Sequence, residues 1–348
     1  MFKPILGTAA RALSIMALLS AQSASAAGND SALIVTASNG PANSLMFYTP
    51  TGRLVKAIPT DGQGGAGGNS GGIAADHGRI AVVNFGSGNV SIFASGGEGS
   101  PMRLVQLVQA LASPVSVAFG NGHLYILSTT HVESHPVWGN HVAGVDGSAP
   151  LLLRDGSAAQ VGVIGSQLIL TEKGGDIETV NLGGQGAIRG SATAVSNGTS
   201  LAAPFGLVTR GNEAYVTVAH ANAVSLVRNN KVLASAVVGS QLAACWAALD
   251  GPFLFVSNTA SKTVSRFAVY GQHFVLDAEV AATLTAGVID IDYRHGLAAV
   301  VDSDATANVS HVSIFKVDED GNLTPNGSAT LHSSATNGVL ILSGEFWD

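Results

Sequence analysis

A strand–turn–strand unit recurs along this chain, and the recurrence constrains the fold more than any other feature. In "FVSNTASKTVSRFAV" (255–269) an apolar run ends at Asn258, a turn-forming segment follows, and an alternating run begins at Val264. The stretch "VVNFGSGNVSIF" (82–93) repeats this plan closely. Looser copies occupy residues 33–48, 124–145, 168–182, 214–227 and 298–315. Repetition of one β unit at this spacing is typical of architectures in which neighbouring units share a core.

A further short apolar strand precedes most of these hairpins. Such strands are present at 71–78, 114–122, 160–167, 204–212, 245–252 and 288–296. The hairpin at 33–48 lacks one, whereas "NGVLILSG" (337–344) has no hairpin after it. The offset predicts that this last strand completes the first sheet and so closes a ring. The expected fold class is therefore all-β, a seven-bladed β-propeller closed by pairing of its N- and C-terminal strands.

The repeated units leave no room for a linker between domains. We therefore expect residues 27–348 to form a single propeller domain. The glycine-rich stretch "DGQGGAGGNSGG" (61–72) lies between the first and second units, and we interpret it as a long loop between blades. A phosphate-binding loop is the alternative, but the Lys-Ser/Thr pair of that motif is missing and no helical pattern follows. The third unit carries a longer turn, "HVESHPVWGNH" (131–141).

The first 26 residues have the pattern of a signal peptide. Lys3 and Arg11 supply positive charge, "ALSIMALLS" (12–20) is a short apolar stretch, and "ASA" (24–26) fits the cleavage rule. The apolar stretch is too short to span a bilayer as a helix. The sequence thus predicts export, to the periplasm or the medium, with no membrane span after cleavage.

Charge and composition narrow the set of partners. Without Lys3 and Arg11, 14 of the 16 basic residues remain against 23 acidic ones, which leaves a net charge of −9. Because no basic cluster is present, nucleic acid is excluded as an expected partner. Cys245 is the single cysteine, so no disulfide can form within the chain. We expect a monomer whose partner is a small molecule or another protein.

The chain resembles the lactonase-like, YVTN-type seven-bladed propellers, in particular their exported bacterial members. The likeness is carried by "VVNFGSGNVSIF", "AAPFGLVTRGNEAYVTVAHANAVSLV" and "AACWAALDGPFLFVSNTASKTVSRF". The resemblance implies the propeller fold and, among its enzymes, lactone hydrolysis or the isomerisation of related acids. Where enzymatic members carry "HPHS"-like inner strands, this chain reads "PVSVAF", "PFGLVT" and "CWAALD". No catalytic residue can therefore be carried over by position.

Propeller geometry predicts where a site would lie. The start of each inner strand and the end of each second strand meet on one face, at the mouth of the central tunnel. This places Asn84, Asn258 and Asp302 there as candidate ligand-binding residues, with Glu172 and His220 as candidate catalytic bases. The alternative is that Asn and Asp at strand ends cap turns through hydrogen bonds to the backbone.

Two further groups could serve a site. His131, Glu133 and His135 alternate along the turn of the third unit and are candidate ligands of a divalent metal, although their spacing matches no defined zinc motif. Asp290 and Asp292 share one side of a predicted strand and could line the tunnel, where they would bind a cation or a structural water.

These observations support two functions. The first is an exported binding or scaffold propeller with a small-ligand site at the tunnel mouth. The alternative is a lactonase-like hydrolase or isomerase that acts on a lactone or a sugar acid, in which Glu172 or His220 activates water.

Overall fold

The computed structural model describes residues 32–96, 101–175, 177–195 and 203–343. The predicted signal peptide lies outside these ranges. Within them the chain is almost entirely β-structure, and its strands form seven antiparallel sheets, called blades 1 to 7 here. Each blade has an inner strand beside the central axis and further strands outward.

The first three blades contain the strands up to residue 150. Their bounds are β1 (Leu33–Ala37), β2 (Ser44–Tyr48) and β3 (Leu54–Pro59) in blade 1; β4 (Ile73–Asp76), β5 (Arg79–Asn84), β6 (Asn89–Ala94) and β7 (Arg103–Gln109) in blade 2; and β8 (Pro114–Gly120), β9 (His123–Ser128), β10 (His131–Trp138), β11 (His141–Val142) and β12 (Gly147–Pro150) in blade 3.

The other four blades follow the same plan. Their bounds are β13 (Ala158–Ile164), β14 (Gln167–Glu172), β15 (Ile177–Leu182) and β16 (Ile188–Val195) in blade 4; β17 (Pro204–Arg210), β18 (Glu213–Val218), β19 (Ala223–Arg228) and β20 (Lys231–Val237) in blade 5; β21 (Ala244–Asp250), β22 (Phe253–Asn258), β23 (Thr263–Tyr270) and β24 (His273–Thr283) in blade 6; and β25 (Gly287–Arg294), β26 (Leu297–Asp304), β27 (Val309–Val317) and β28 (Leu323–Leu331) in blade 7.

The last strand, β29 (Asn337–Leu342), closes the ring. It is the inner strand of blade 1 and pairs with β1 in an antiparallel register that places Val35 opposite Leu340. The Thr36 hydroxyl also donates to the carbonyl of Gly338. The predicted seven-bladed propeller, with its offset closure, is confirmed.

The distribution of apolar residues follows from the way blades pack. Both faces of a blade are covered by neighbouring blades, so the second strands are buried along almost their whole length, as in β9 and β18. Outer strands are half exposed and alternate, as in β20. The core is accordingly divided into apolar clusters between successive blades.

The structure differs from the sequence reading in blade 3. The segment read as a long turn (131–141) is instead the strand β10 and the start of β11, since Ser128 and His131 are joined by a short turn. Among the described residues, no helix is long and apolar enough to cross a membrane. One short 3₁₀ helix, Ala219–Ala221, follows β18.

Candidate functional site

The predicted tunnel mouth is covered by the glycine-rich loop. Residues 61–72 run across the face where the inner strands begin. The Asn69 side chain donates to the carbonyl of Val115 in blade 3 and accepts from Asn337 at 2.7 Å, while its carbonyl accepts from the Trp246 indole at 3.1 Å. Ser70 donates to the carbonyl of Ala159 in blade 4 at 3.1 Å. One loop thus bonds to blades 1, 3, 4 and 6 and closes this face of the tunnel.

Glycine is required in this loop because its backbone passes very close to other groups. A Cβ on Gly62 would lie 2.3 Å from the side chain of Asn84, and one on Gly64 would lie 2.3 Å from the backbone of Asn39. The Asn39 side chain in turn accepts from Gly65 and donates to the carbonyl of Ala66. The glycines of this loop therefore allow it to pack closely against the tunnel mouth.

The predicted ligand-binding residues make buried hydrogen bonds to turns and segments beside their strands, and Asn84 also accepts from residues of blade 1. Asn84 donates to Asn89 and Ser91, Asn258 donates to Thr263 and Ser265, and both are fully buried. Asp302 is equally buried, and its carboxylate accepts from the backbone of Thr285 and Ala286. The capping alternative, with hydrogen bonds to the backbone, describes Asp302, whereas the two asparagines bond to side chains of the following strand. None of them lines the central cavity among the described residues.

The two predicted catalytic bases lie in different surroundings. Glu172 is 1% exposed, accepts from the backbone N–H of Leu153 at 3.0 Å, and belongs to blade 4. His220 is exposed in the 3₁₀ helix of blade 5. The structure does not bring the two into one cavity, and their catalytic roles stay predictions.

The candidate metal ligands lie along β10. Glu133 and His135 are buried side by side, with 3.8 Å between Glu133 Oε2 and His135 Nε2. Glu133 also accepts from Leu111, and His131 is bonded to Thr130. Within the ranges that the structure describes, no group of three or more His, Cys, Asp or Glu side chains is placed to hold a metal ion. The structure therefore does not assemble these three residues as a metal centre.

A cavity of about 570 Å³ lies along the propeller axis. Inner strands of all seven blades line it. Ser70 and Gly71 of the glycine-rich loop lie at one end, and Asp250, Arg294 and His295 lie at the other, where the inner strands finish. The cavity is thus closed on the predicted face and opens on the opposite one.

Polar side chains of the inner strands satisfy the free edges of the neighbouring inner strands. An inner strand has no partner on its axial side, so its backbone N–H groups need other acceptors. Ser116 Oγ accepts from Val161, and Gln160 Oε1 accepts from Leu207, in each case from the next blade.

Two aspartates perform the same task between blades 7 and 1. Asp290 Oδ2 accepts from the backbone N–H of Val339 at 3.2 Å, and Asp292 Oδ2 accepts from that of Ile341 at 2.8 Å. The expectation that Asp290 and Asp292 line the tunnel is confirmed.

Burial alters the protonation of both carboxyl groups. It raises the pKa of Asp290 to about 8, helped by the charge of Asp292 and opposed by the N–H groups of Ile291 and Val339. Burial also raises the pKa of Asp292, and the Arg294 guanidinium, 3.6 Å away, opposes this rise. The cavity wall therefore carries at least one carboxyl group that is largely neutral at pH 7.

Sequence reasoning missed Ser116, Gln160 and Trp246. Their position in the repeat could have identified them. In each of these blades one inner-strand residue pairs with the last residue of the second strand, and the missed residue lies two positions after it. In six of the seven blades, with Asp302 as the reference in blade 7, the residues at this position are Ser116, Gln160, Gly206, Trp246, Asp290 and Val339. An alignment of the repeats by this position would have shown an axial column with polar members.

Comparison with known proteins agrees on the fold. No family model matches the chain, and no curated protein sequence matches it. A periplasmic gluconolactonase from Pseudomonas aeruginosa superposes with a TM-score of 0.63 at 15% identity, over 89% of this chain and 98% of that one. A Bacteroides fragilis protein, provisionally assigned as a 6-phosphogluconolactonase, gives a TM-score of 0.61 at 16% identity over 90% and 99%.

The same fold also occurs with another chemistry. A streptogramin B lyase superposes with a TM-score of 0.55 at 12% identity, over 75% of this chain and 83% of that one. The chain has the fold of the lactonase-like seven-bladed propellers, and identities this low show the fold alone.

Proposed function

We propose that this chain is an exported propeller that binds a small polar ligand in its central cavity, entered from the face that bears Asp250 and Arg294. The observation that carries this proposal is the axial cavity itself, which is closed at one end by a fitted loop and lined by the carboxyl groups of Asp290 and Asp292 and the amide group of Gln160. A concave site with placed polar groups suits a small ligand.

The polar groups of the wall are held in place to bind a ligand. Each carboxylate oxygen of Asp290 and Asp292 already accepts one backbone N–H, which fixes its position. A carboxylate oxygen has two acceptor sites, so an ionised Asp292 can still accept a hydrogen bond from a ligand hydroxyl or amide, while a protonated Asp290 can donate one. Arg294 and Asp250 at the opening add a donor and an acceptor.

Lactone hydrolysis is the second candidate, and the pair Asp290 and Asp292 favours it. Two nearby carboxyl groups, of which one is neutral at pH 7, can act as acid and base on a water and a lactone carbonyl. The fold shared with a gluconolactonase supports the same chemistry. A scaffold function for a protein partner remains compatible with the fold but uses none of these groups.

Ligand screening tests the proposal. Melting temperature and calorimetric titration would be measured with neutral sugars, sugar acids and their lactones. We expect one class to bind and to raise the melting temperature, because a ligand of the folded state stabilises it by mass action. Asp292→Asn should weaken binding, by about 1–3 kcal/mol if it removes a charge-assisted hydrogen bond.

The matched control is Asp318→Asn, which changes an exposed aspartate in an outer turn of blade 7. Binding that is unaffected by Asp292→Asn, or no binding by any compound, would refute the proposed site. Turnover of a lactone above its spontaneous rate, lost in Asp292→Asn, would instead establish the hydrolase.

A further inference from the structure

Two buried glutamates on blade 4 take no part in the cavity. Glu172, at the end of β14, and Glu178, near the start of β15, are each 1% exposed. Glu172 Oε2 accepts from the backbone N–H of Leu153, and Glu178 Oε1 accepts from that of Leu152, both at 3.0 Å. The other oxygen of each, Glu172 Oε1 and Glu178 Oε2, is buried and has no hydrogen-bond partner among the described residues.

A shared proton explains this arrangement. Two adjacent buried carboxylates cannot both be ionised, because their charges repel and neither is solvated. One proton between the two remaining oxygens would satisfy both atoms and remove one charge. Burial, and after it the interaction with Glu178, raises the pKa of Glu172 to about 9.

The charged side chains described around the pair do not neutralise its negative charge, so the shared proton is still needed. Asp155, on the covering segment, raises the pKa of Glu172 further. Lys173 is next in sequence, but its ammonium donates to the carbonyls of Gly68 and Ala158. The Arg154 guanidinium donates to the carbonyl of Leu151. Asp176 lies outside the described residues.

The pair is connected to both loops on the closed face. It holds the segment 151–157 through the amides of Leu152 and Leu153. The next residue, Lys173, holds the glycine-rich loop through Gly68 at 2.6 Å. We propose that one proton shared by Glu172 and Glu178 is a pH-sensitive latch, which fastens segment 151–157 and, through Lys173, the glycine-rich loop.

Hydrogen exchange on the full chain tests the latch without any ligand, so its outcome is independent of the proposed function. Exchange rates would be measured from about pH 7 to about pH 10 and corrected for their intrinsic pH dependence. We expect protection of segments 151–157 and 61–72 to fall by up to about tenfold per pH unit as the pH rises toward about 9 and to level off above it, since the opened Glu172 releases its proton at a much lower pH than the closed one.

Glu178→Gln is the informative variant, because its amide can donate permanently to the Glu172 carboxylate. It should keep both segments protected at high pH, whereas the exposed control Glu319→Gln should behave as wild type. Equal pH profiles for wild type and Glu178→Gln would overturn the latch. A response of 151–157 alone would overturn its connection to the glycine-rich loop.

Infrared spectroscopy covers the case in which Glu178→Gln does not fold. Wild-type protein at about pH 8 should show the band of a protonated buried carboxyl group, and this band should disappear as the pH passes about 9. Absence of any protonated glutamate at pH 8, once the band of Asp290 is removed by Asp290→Asn, would refute the shared proton.

Discussion

The closure of the tunnel by the glycine-rich loop depends on Asn69, and Asn69→Ala tests that dependence. The side chain makes two buried hydrogen bonds, one to the carbonyl of Val115 and one from the amide of Asn337. Each contributes about 1 kcal/mol net, and each partner left unpaired in a buried position costs about 1–3 kcal/mol. We therefore expect Asn69→Ala to lower the free energy of loop opening by about 3 kcal/mol. This is less than the full sum of these terms, because the loop can relax after the change.

The loss applies to opening of the loop, because the blades keep their own strand pairing. A change of about 3 kcal/mol raises the population of the open loop about 100-fold. The amide of Ser70, which donates to Ala159, reports this opening by hydrogen exchange. We expect its exchange to accelerate about 100-fold in Asn69→Ala, with far smaller changes in β26.

Gln63→Ala is the matched control, because Gln63 is an exposed amide side chain in the same loop. It should leave the exchange of Ser70 near that of wild type. The reasoning would be refuted if the two variants accelerated Ser70 equally, or if Asn69→Ala changed the whole protein uniformly, since either result would show that Asn69 does not hold the loop.

Three further predictions concern closure, pH and the loop backbone. Ile341→Ala in the closing strand removes a side chain that is 3% exposed and should lower the free energy of unfolding, measured with a chemical denaturant, by about 2–5 kcal/mol. Leu340 is half-buried at the cavity, so Leu340→Ala should lower it less. Equal losses would contradict the packing of β29. Asp290 holds its proton up to about pH 8 when folded but only to about pH 4 when unfolded, so stability should fall as the pH rises through that window, by at most about 1.4 kcal/mol per pH unit. Asp290→Asn cannot ionise, and unfolding titrations at several pH values should show a shallower fall; an unchanged slope would refute the assignment. Gly64→Ala should raise exchange in the loop by displacing it from Asn39, and circular dichroism should still report intact blades.

The agreement between sequence and structure is best where a pattern is repeated. The hairpin around Asn258 and its copies identified the blades, and the unpaired strand at 337–344 identified the closure, because strand alternation and turn residues are local properties. The segment at 131–141 was misread because its His, Glu and Pro residues are unusual in a strand, and pairing with β9 and β12 decided its conformation.

The candidate site was predicted less well, for a geometric reason. The ends of second strands do approach the tunnel mouth, but their side chains point to the faces of the blade, where neighbouring segments cover them. Asp302 and Glu172 consequently hold loops. Asp290 and Asp292 reach the axis because the free edge of an inner strand needs acceptors there.

The sequence by itself determined the number of blades, their strand order and the way the two ends of the chain meet. These follow from periodicity and from turn chemistry, which each short segment carries independently. Only the tertiary structure decided which face of the tunnel is open, since that depends on where a glycine-rich loop lies across four blades. It also decided which acids are buried together, because residues such as Glu172 and Glu178 acquire their protonation from surroundings that no local pattern contains.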